Sequence, residues 1–130
     1  MTSNGIKTIP CQLGVREAID KLQSFIQSNG AIVYARIDQQ LEVGKVGLTI
    51  PPLEFIMFGN PKVGGTFLQE NAIIALDLPL KIIAWEDKDK KVWLSFNESQ
   101  YIAGRYGLNN ESALVLDLEK LISKALNTSK

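Results

Sequence analysis

The sequence predicts an α+β fold, a two-layer sandwich in which a mainly antiparallel sheet of about five strands carries helices on one face. Three observations predict it. Short apolar or alternating stretches typical of strands recur between segments with helical periodicity. Two such stretches are separated only by the charged residues 87–90, which favours an antiparallel hairpin. The helical segments are amphipathic, so each needs one covered face.

The first half of the chain predicts two strands around a helix. Residues 6–9 are β-like, and after the break at residues 10–14 apolar residues recur on one helical stripe. The stripe consists of Val15, Ala18, Ile19, Leu22, Phe25 and Ile26. Asn29 and Gly30 accept the left-handed backbone that ends many helices, and residues 31–38 follow as a strand. Its alternation places Ile32, Tyr34 and Arg36 on one side and Val33, Ala35 and Ile37 on the other.

The middle of the chain predicts a helical turn, a strand and a partly helical segment. Residues 39–47 can hold one helical turn before the prolines at 51 and 52, which lead an extended chain into a strand at residues 53–58. Turn-forming residues 59–61 end that strand. Residues 64–76 are expected to be helical in part.

The last part of the chain predicts the hairpin and two helices. The hairpin strands cover residues 80–86 and 91–96, and a short helix at residues 98–106 is closed by Gly107. Asn109 and Asn110 can cap a final helix. One face of that helix is apolar and carries Leu114, Leu118, Leu121, Ile122 and Ala125.

The strand at residues 80–86 is apolar on both sides, at Leu80, Ile82, Ile83, Ala84 and Trp85. A strand of this kind is typical of a sheet that is covered on both faces. Two arrangements would provide the second cover. The chain forms a homodimer through that face, or the C-terminal helix crosses over to it.

Composition limits the classes of function. A chain of 130 residues fits one domain, residues 1–130. Lys plus Arg equals Asp plus Glu at 14 each, so no strong field attracts nucleic acid or anionic lipid. Residues 1–9 do not resemble a signal peptide, and no apolar run approaches membrane-span length, so a cytoplasmic protein is expected. The single cysteine, Cys11, is expected to be a small buried residue.

The chain contains no histidine, which excludes imidazole bases, histidine-activated nucleophiles and imidazole metal ligands. The lone cysteine cannot build a thiolate zinc site. Asp87 and Asp89 lie among lysines in a turn, where solvated charges are the simpler interpretation. We therefore expect no metal site and no cofactor.

Residues 59–66 read G-x-x-x-x-G-G-T between a strand and a helix, which is close to a phosphate-binding P-loop. Gly65 stands where a P-loop has lysine, and the sheet is not a parallel β-α-β array, so a nucleotide triphosphatase is not expected. Two interpretations stay open. The glycines and Lys62 hold a single anion, or the glycines only let the chain turn.

Six residues form the predicted binding site. They are polar groups at strand ends or on the helix after the hairpin, together with a glycine of the glycine-rich turn: Asp38, Asn60, Lys62, Gly64, Asn97 and Arg105. The favoured hypothesis is a non-catalytic homodimer that binds a small anionic or polar molecule. The alternatives are an interaction or assembly module that acts through its dimer face, and an enzyme that uses Lys62 or Asp38 with Arg105.

Several short runs in order along the chain carry a family resemblance. They are residues 58–62 (FGNPK), 76–81 (LDLPLK), 85–87 (WED) and 105–108 (RYGL), with residues 35–38 (ARID) before them. Together they resemble the domain of unknown function numbered 302, over nearly the whole chain. The resemblance implies a compact two-layer α+β sandwich that tends to form homodimers in bacteria and archaea, with no assigned activity. Where family members commonly carry two histidines, this chain has Gln39 and Tyr106, so it implies no histidine chemistry here.

Overall fold

The computed structural model describes residues 2–127; Met1 and residues 128–130, which the predicted domain includes, lie outside that range. The strands are β1 (Thr2–Ser3), β2 (Ile6–Cys11), β3 (Ile32–Asp38), β4 (Leu53–Gly59), β5 (Leu80–Glu86) and β6 (Val92–Asn97). The α-helices are α1 (Val15–Ser28), α2 (Gln39–Gly44), α3 (Pro61–Glu70), α4 (Ser99–Tyr106), α5 (Asn110–Ala113) and α6 (Leu118–Asn127). Two 3₁₀ helices span Ala72–Leu76 and Leu114–Leu116.

The strands form one sheet in the order β1-β2-β6-β5-β4-β3, and every neighbouring pair is antiparallel. The predicted hairpin is β5–β6, in register with Trp85 opposite Trp93. Five strands of six or seven residues make up the sheet, and the two-residue β1 extends it at one edge. The predicted α+β class is confirmed.

The long helices α1 and α6 lie on the same face of the sheet. The apolar stripe of α1 and the buried face of α6 join one cluster with sheet residues such as Ile56, Ile82 and Leu94. A smaller cluster of Phe67, Ile74, Ile102 and Leu116 continues it towards α3 and α4. The alternative in which the C-terminal helix crosses to the second face is therefore wrong, because α6 needs its apolar stripe against α1.

The opposite side of the sheet is called the open face here. Its side chains alternate with the core residues along β2 to β6. The apolar ones are Ile6, Pro10, Ile32, Ala35, Ile37, Leu53, Phe55, Met57, Ile83, Trp85 and Trp93. None of these side chains belongs to either cluster of buried apolar residues in the described part of the chain.

A β-bulge in β3 changes the predicted alternation of that strand. The register with β4 shifts between Val33 and Ala35, which leaves Tyr34 as the extra residue. Val33 therefore packs against the core, on the same side as Arg36. The predicted alternation was wrong for Ile32, which shares the open face with Ala35 and Ile37 instead of the side of Arg36, and for Val33, because a bulge leaves no pattern in hydrophobicity.

The predicted single C-terminal helix is three pieces. Asn109 caps α5 through a 2.7 Å bond from the Ser112 amide, and the chain then passes through a 3₁₀ turn to an extended residue, Asp117. Asp117 Oδ1 accepts from Glu119 N at the start of α6. Because the helix is interrupted there, Leu114 is 64% exposed instead of lying on the buried stripe.

Candidate functional site

A cavity of about 510 Å³ lies on the helix side of the sheet, where β4 ends and α3 and α6 begin. Its walls are mostly apolar and come from four parts of the chain. The lining residues are Ala31, Tyr34, Phe58, Gly59, Asn60, Pro61, Val63, Gly64, Gly65, Leu68, Leu78, Pro79, Leu80, Val115, Leu116, Asp117, Leu118 and Leu121. This volume is within the usual range for small-molecule sites.

Asn60 ends β4 and begins α3. Its Oδ1 accepts from Lys62 N at 3.0 Å, and its backbone oxygen accepts from Gly64 N at 2.8 Å. Pro61, the first helical residue, has no N–H. One of the first-turn amides that a phosphate would use, that of Lys62, is thus already bonded to Asn60, which favours the turn-forming interpretation of the glycine-rich stretch over the anion-binding one.

Gly64 and Gly65 form part of the cavity wall in the interior of α3. Neither has a positive φ angle. A Cβ atom at Gly65 would meet no atom within 4 Å, and one at Gly64 would meet only Leu78 Cδ1, at 3.9 Å, which is ordinary contact. Neither the backbone conformation nor a close neighbour therefore requires glycine at positions 64 and 65.

Tyr34 lies at the cavity entrance because the β3 bulge turns it there. Its ring lies beside Gly59, where Cε2 is 3.7 Å from the position that a Cβ would occupy. The side chain is 51% exposed, and its hydroxyl has no hydrogen-bond partner among the described residues. Tyr34 is thus a large, half-exposed aromatic side chain at the opening, with a hydroxyl that no described protein group uses.

The loop that carries Leu78 and Pro79 is fixed from outside the cavity. Asp77 Oδ2 accepts from the Tyr106 hydroxyl at 2.5 Å and from Arg105 Nη1 at 3.1 Å. The hydrogen bond to Asp77, followed by desolvation, raises the pKa of Tyr106 above its ordinary value. These contacts join α4 to the cavity wall.

The predicted binding residues do not form one site. Asn60 and Gly64 line the cavity, and Lys62 lies exposed on the same helix without lining it. Asp38 lies at the opposite end of the sheet, because Asp38 pairs with Glu54 whereas Gly59, next to Asn60, pairs with Ile32. Six residue steps along a strand correspond to roughly 20 Å. The expected convergence of Asp38 with Asn60 and Lys62 was wrong.

Asp38 belongs to a cluster of ion pairs. Arg16 Nη2 lies 2.9 Å from Asp38 Oδ2, and Asp38 Oδ1 also caps α2 at Leu41 N. Beside it, Arg36 donates to Glu54 Oε2 at 2.7 Å and pairs with Asp20 on α1, also at 2.7 Å. Burial opposes the charged form of Arg36, but the hydrogen bonds to Glu54 and Asp20 outweigh it and raise its pKa.

The two remaining predicted residues lie away from the cavity. Asn97 follows Trp93 and Ser95 in alternation on the open face of β6 and is exposed. Arg105 lies in the last turn of α4 and pairs with Asp77. Arg105 therefore touches the loop that forms the wall and does not itself line the cavity.

Sequence reasoning missed most of the residues that form the cavity. Apolar lining residues such as Leu78, Leu116 and Leu121 have the same pattern as core residues, so nothing in the sequence separates them. Tyr34 depends on the bulge. The one visible signal was the pair Gly64-Gly65 inside a helical segment, which is unfavourable for a helix unless something else requires it.

Other candidate chemistry receives no support in the described residues. Among residues 2–127, no group of three or more Cys, Asp or Glu side chains is placed to hold a metal ion. Burial raises the pKa of the Cys11 thiol, and the nearby Glu17 carboxylate adds to the rise, which disfavours a reactive thiolate. No helix in that part of the chain has the length and apolar character needed to cross a membrane.

Comparison with known proteins identifies the family. The profile of the family described as "Domain of unknown function DUF302" matches residues 7–129. The chain belongs to the DUF302 family. The resemblance seen in the sequence is thereby confirmed for this DUF302 chain, and the family's description assigns it no activity.

Curated relatives of this DUF302 chain include two named "Fluoride-specific ion channel FluC 1", from Brucella suis biovar 1 (strain 1330) and Brucella abortus biovar 1 (strain 9-941). Each is 35% identical over 113 residues. The matches cover 87% of this chain but 44% and 42% of those proteins. The chain thus spans less than half the length of these relatives.

A solved structure supports the fold. The crystal structure of the uncharacterized conserved protein DUF302 from Bacillus stearothermophilus has a TM-score of 0.76 and 18% sequence identity to this chain. The likeness covers 96% of this chain and 98% of that one. At this identity it establishes the shared architecture alone.

Proposed function

We propose that this DUF302 domain binds a small, mostly apolar molecule in the cavity beside α3. The observation that carries the proposal is the pair Gly64-Gly65. Each glycine in a helix interior costs roughly 0.5–1 kcal/mol relative to alanine. Because neither backbone conformation nor a close neighbour requires them, the open space that they leave in the cavity wall is their simplest explanation.

The chemistry of the lining favours an apolar ligand over the anionic one expected from the sequence. The polar side-chain groups of the lining are the Asn60 amide, the Asp117 carboxylate and the Tyr34 hydroxyl. The lining includes no Lys or Arg. A ligand here would gain free energy mainly from the apolar surface that it buries.

The proposal is one of binding, without catalysis. General acid–base work needs titratable side chains within hydrogen-bond or one-water reach of the same reacting group. Asp38 lies roughly 20 Å along the sheet from the end that carries Lys62, and Arg105 is engaged with Asp77. Asp38 and Lys62 therefore cannot act on the same group, and the guanidinium of Arg105 is already paired.

The test is thermal denaturation of the purified chain with a panel of small neutral apolar molecules. A ligand present at 100 times its Kd stabilises the fold by about 2.7 kcal/mol, which raises Tm by several degrees. Fluoride belongs in the panel because of the names of the Brucella relatives, and we expect it to give no shift.

Two variants of one residue locate the binding. Gly64→Leu places a side chain towards Leu78 inside the cavity and should abolish the ligand-induced shift, whereas Gly64→Ala fits at ordinary contact distance and should preserve most of it. If no member of the panel shifts Tm, or if Gly64→Leu retains the full shift, the cavity is not a binding site.

A second proposal concerns assembly, and a specific observation favours it. The open face carries eleven apolar side chains that join neither buried cluster. Five strands about 4.8 Å apart and about 20 Å long make a face of roughly 480 Å². Two copies paired through it would cover about 1,000 Å² in total, the lower limit for a specific interface. We propose a homodimer through this face.

The two tryptophan N–H groups of the open face need no partner across an interface. Trp85 Nε1 donates to Ser95 Oγ at 2.9 Å, and Ser95 Oγ is also 2.9 Å from Thr8 Oγ1. Trp93 Nε1 donates to Asp87 Oδ2 at 2.8 Å. Because these donors are already paired within the chain, covering the two tryptophan rings would leave their N–H groups satisfied.

Light scattering at tens of micromolar tests the dimer. Ile83→Lys puts a charge in the centre of the open face and should yield monomers, while Ile73→Lys changes an isoleucine that is 63% exposed on the helix side and should leave the mass unchanged. Circular dichroism checks that both variants fold. A monomeric wild-type chain, or a dimer that survives Ile83→Lys, would reject this pairing.

A further inference from the structure

The cavity entrance carries two hydrogen-bond donors that protein groups do not use. One is the Tyr34 hydroxyl, and the other is the Asn60 amide, whose Nδ2 takes part in no hydrogen bond among the described residues. Both side chains line the same cavity. They come from neighbouring strands, at the point where Ile32 of β3 pairs with Gly59 of β4.

The bulge in β3 determines that Tyr34 is one of these donors. In an unbroken strand the residue after Val33 would face the open side, as Ala35 and Ile37 do. The bulge instead turns Tyr34 towards the cavity, and bulges recur where a side chain must be redirected. The Tyr34 ring lies beside Gly59, at ordinary contact distance from the position that a Cβ would occupy there.

The charge of the lining restricts what those donors can hold. Asp117 is the one charged side chain among the lining residues. Its Oδ1 accepts from Glu119 N at 3.1 Å, and no Lys or Arg of the described residues lies within ion-pair distance of it. An anionic ligand would lie in a mostly apolar cavity with a carboxylate and without a cation, which disfavours it.

We infer that the cavity selects an uncharged molecule with an apolar body and one hydrogen-bond acceptor, such as a carbonyl oxygen, held at the entrance by Tyr34 and Asn60. This inference rests on the proposed binding function and adds the ligand class and a specificity-determining residue. Tyr34 acts twice, since its ring covers the apolar body while its hydroxyl donates to the acceptor.

Three probes of similar size test the inference: 2-acetylnaphthalene, 2-naphthoate and naphthalene. Their dissociation constants are measured by NMR titration of the full chain. We expect the neutral ketone to bind most tightly and the carboxylate to bind at least about tenfold more weakly than the ketone, because its desolvation is not compensated. Naphthalene, which lacks an acceptor, should bind about 25-fold more weakly than the ketone, because it loses the hydrogen bonds to both Tyr34 and Asn60, each worth about 1 kcal/mol net.

Tyr34→Phe removes the hydroxyl and keeps the ring, so it distinguishes their contributions to binding. It should weaken the ketone about fivefold and leave naphthalene unchanged, while Tyr34→Ala should weaken both. Tyr101→Phe is the matched control, since Tyr101 is also partly exposed and does not line the cavity.

The outcomes distinguish this inference from the proposed binding function on which it rests. If none of the probes binds the wild-type chain, both fail. If the ketone binds and Gly64→Leu abolishes it, but Tyr34→Phe has no effect or 2-naphthoate binds as tightly as the ketone, the cavity is a binding site and the inferred ligand class is wrong.

Discussion

The two ends of the helix-covered side of the sheet are built in opposite ways. At one end, Arg36 joins Glu54 and Asp20 at 2.7 Å each, and Arg16 joins Asp38 at 2.9 Å. At the other end, a cavity of about 510 Å³ lies between apolar walls and two helix-interior glycines. The first end is rich in charged groups that pair with one another. The second end has few charged groups and contains the cavity.

This difference shows why charged residues were a poor guide to a site. Asp38 stands at a strand end, where sequence reasoning looks for ligand-binding groups, but its carboxylate is used by Arg16 and by the α2 cap. A polar group paired within the chain is already satisfied. The space available to a ligand is instead where side chains are small or missing, as at Gly64 and Gly65.

Removing Glu54 should give the largest effect on stability. Glu54→Ala removes the partner of Arg36 Nε at a largely buried position, while Asp20 and Gln23 still accept from the other two guanidinium nitrogens. Breaking a buried pair costs about 3–5 kcal/mol, and we expect about 2–3 kcal/mol here because two partners are kept. Urea denaturation measures the loss.

Glu42→Ala is the control for this prediction, since it removes an exposed pair with Lys45 and should change the free energy of unfolding by less than about 0.5 kcal/mol. If the charged end serves only stability, Glu54→Ala should leave probe affinity in the cavity unchanged at temperatures where the chain is folded. A loss equal to that of Glu42→Ala would show that the Arg36–Glu54 contact is not a structural pair.

Much of the fold follows from the sequence because periodicity reports which side of an element is buried. The α1 stripe, the β5–β6 hairpin and the left-handed Gly107 after α4 were all predictable in this way. The bulge at Tyr34 and the break at Asp117 were not predictable. Both depend on local hydrogen bonding, which does not alter the pattern of apolar residues in the sequence. These two irregularities both contribute to the cavity.

Gly65→Ala should stabilise the chain by about 0.5–1 kcal/mol, because alanine favours the helix and its Cβ would meet no atom within 4 Å. Gly107→Ala makes the comparison, since Gly107 has φ +68° after α4, and alanine there should destabilise the fold by about 1 kcal/mol. Both values come from urea denaturation. If Gly65→Ala destabilised the chain as Gly107→Ala does, a structural need for the glycine would replace the cavity explanation.

The cavity end should also respond to alkaline pH. The Asp77 carboxylate that accepts from Tyr106 raises the tyrosine pKa above its ordinary value of 10.0. Stabilisation from this contact is therefore fully present below pH 10 and is lost as pH rises through the raised pKa. The difference in Tm between the wild-type chain and Tyr106→Phe should shrink above pH 10, and a difference that stays constant to pH 11 would contradict the contact.

The hairpin turn beside the open face should respond to acid, with the smallest signal of the four. The hydrogen bond from Trp93 Nε1, with further bonds from the Lys91 and Asp89 amides, lowers the pKa of Asp87 below its ordinary value of 3.8. This contact thus contributes stability above pH 3.8 and loses it as pH falls through the lowered pKa. In a Trp85→Phe chain, which leaves one tryptophan, Trp93 fluorescence should change with a midpoint below pH 3.8. Asp87→Asn should abolish that transition, and a midpoint at or above pH 3.8 would mean that the indole does not bond to Asp87 in solution.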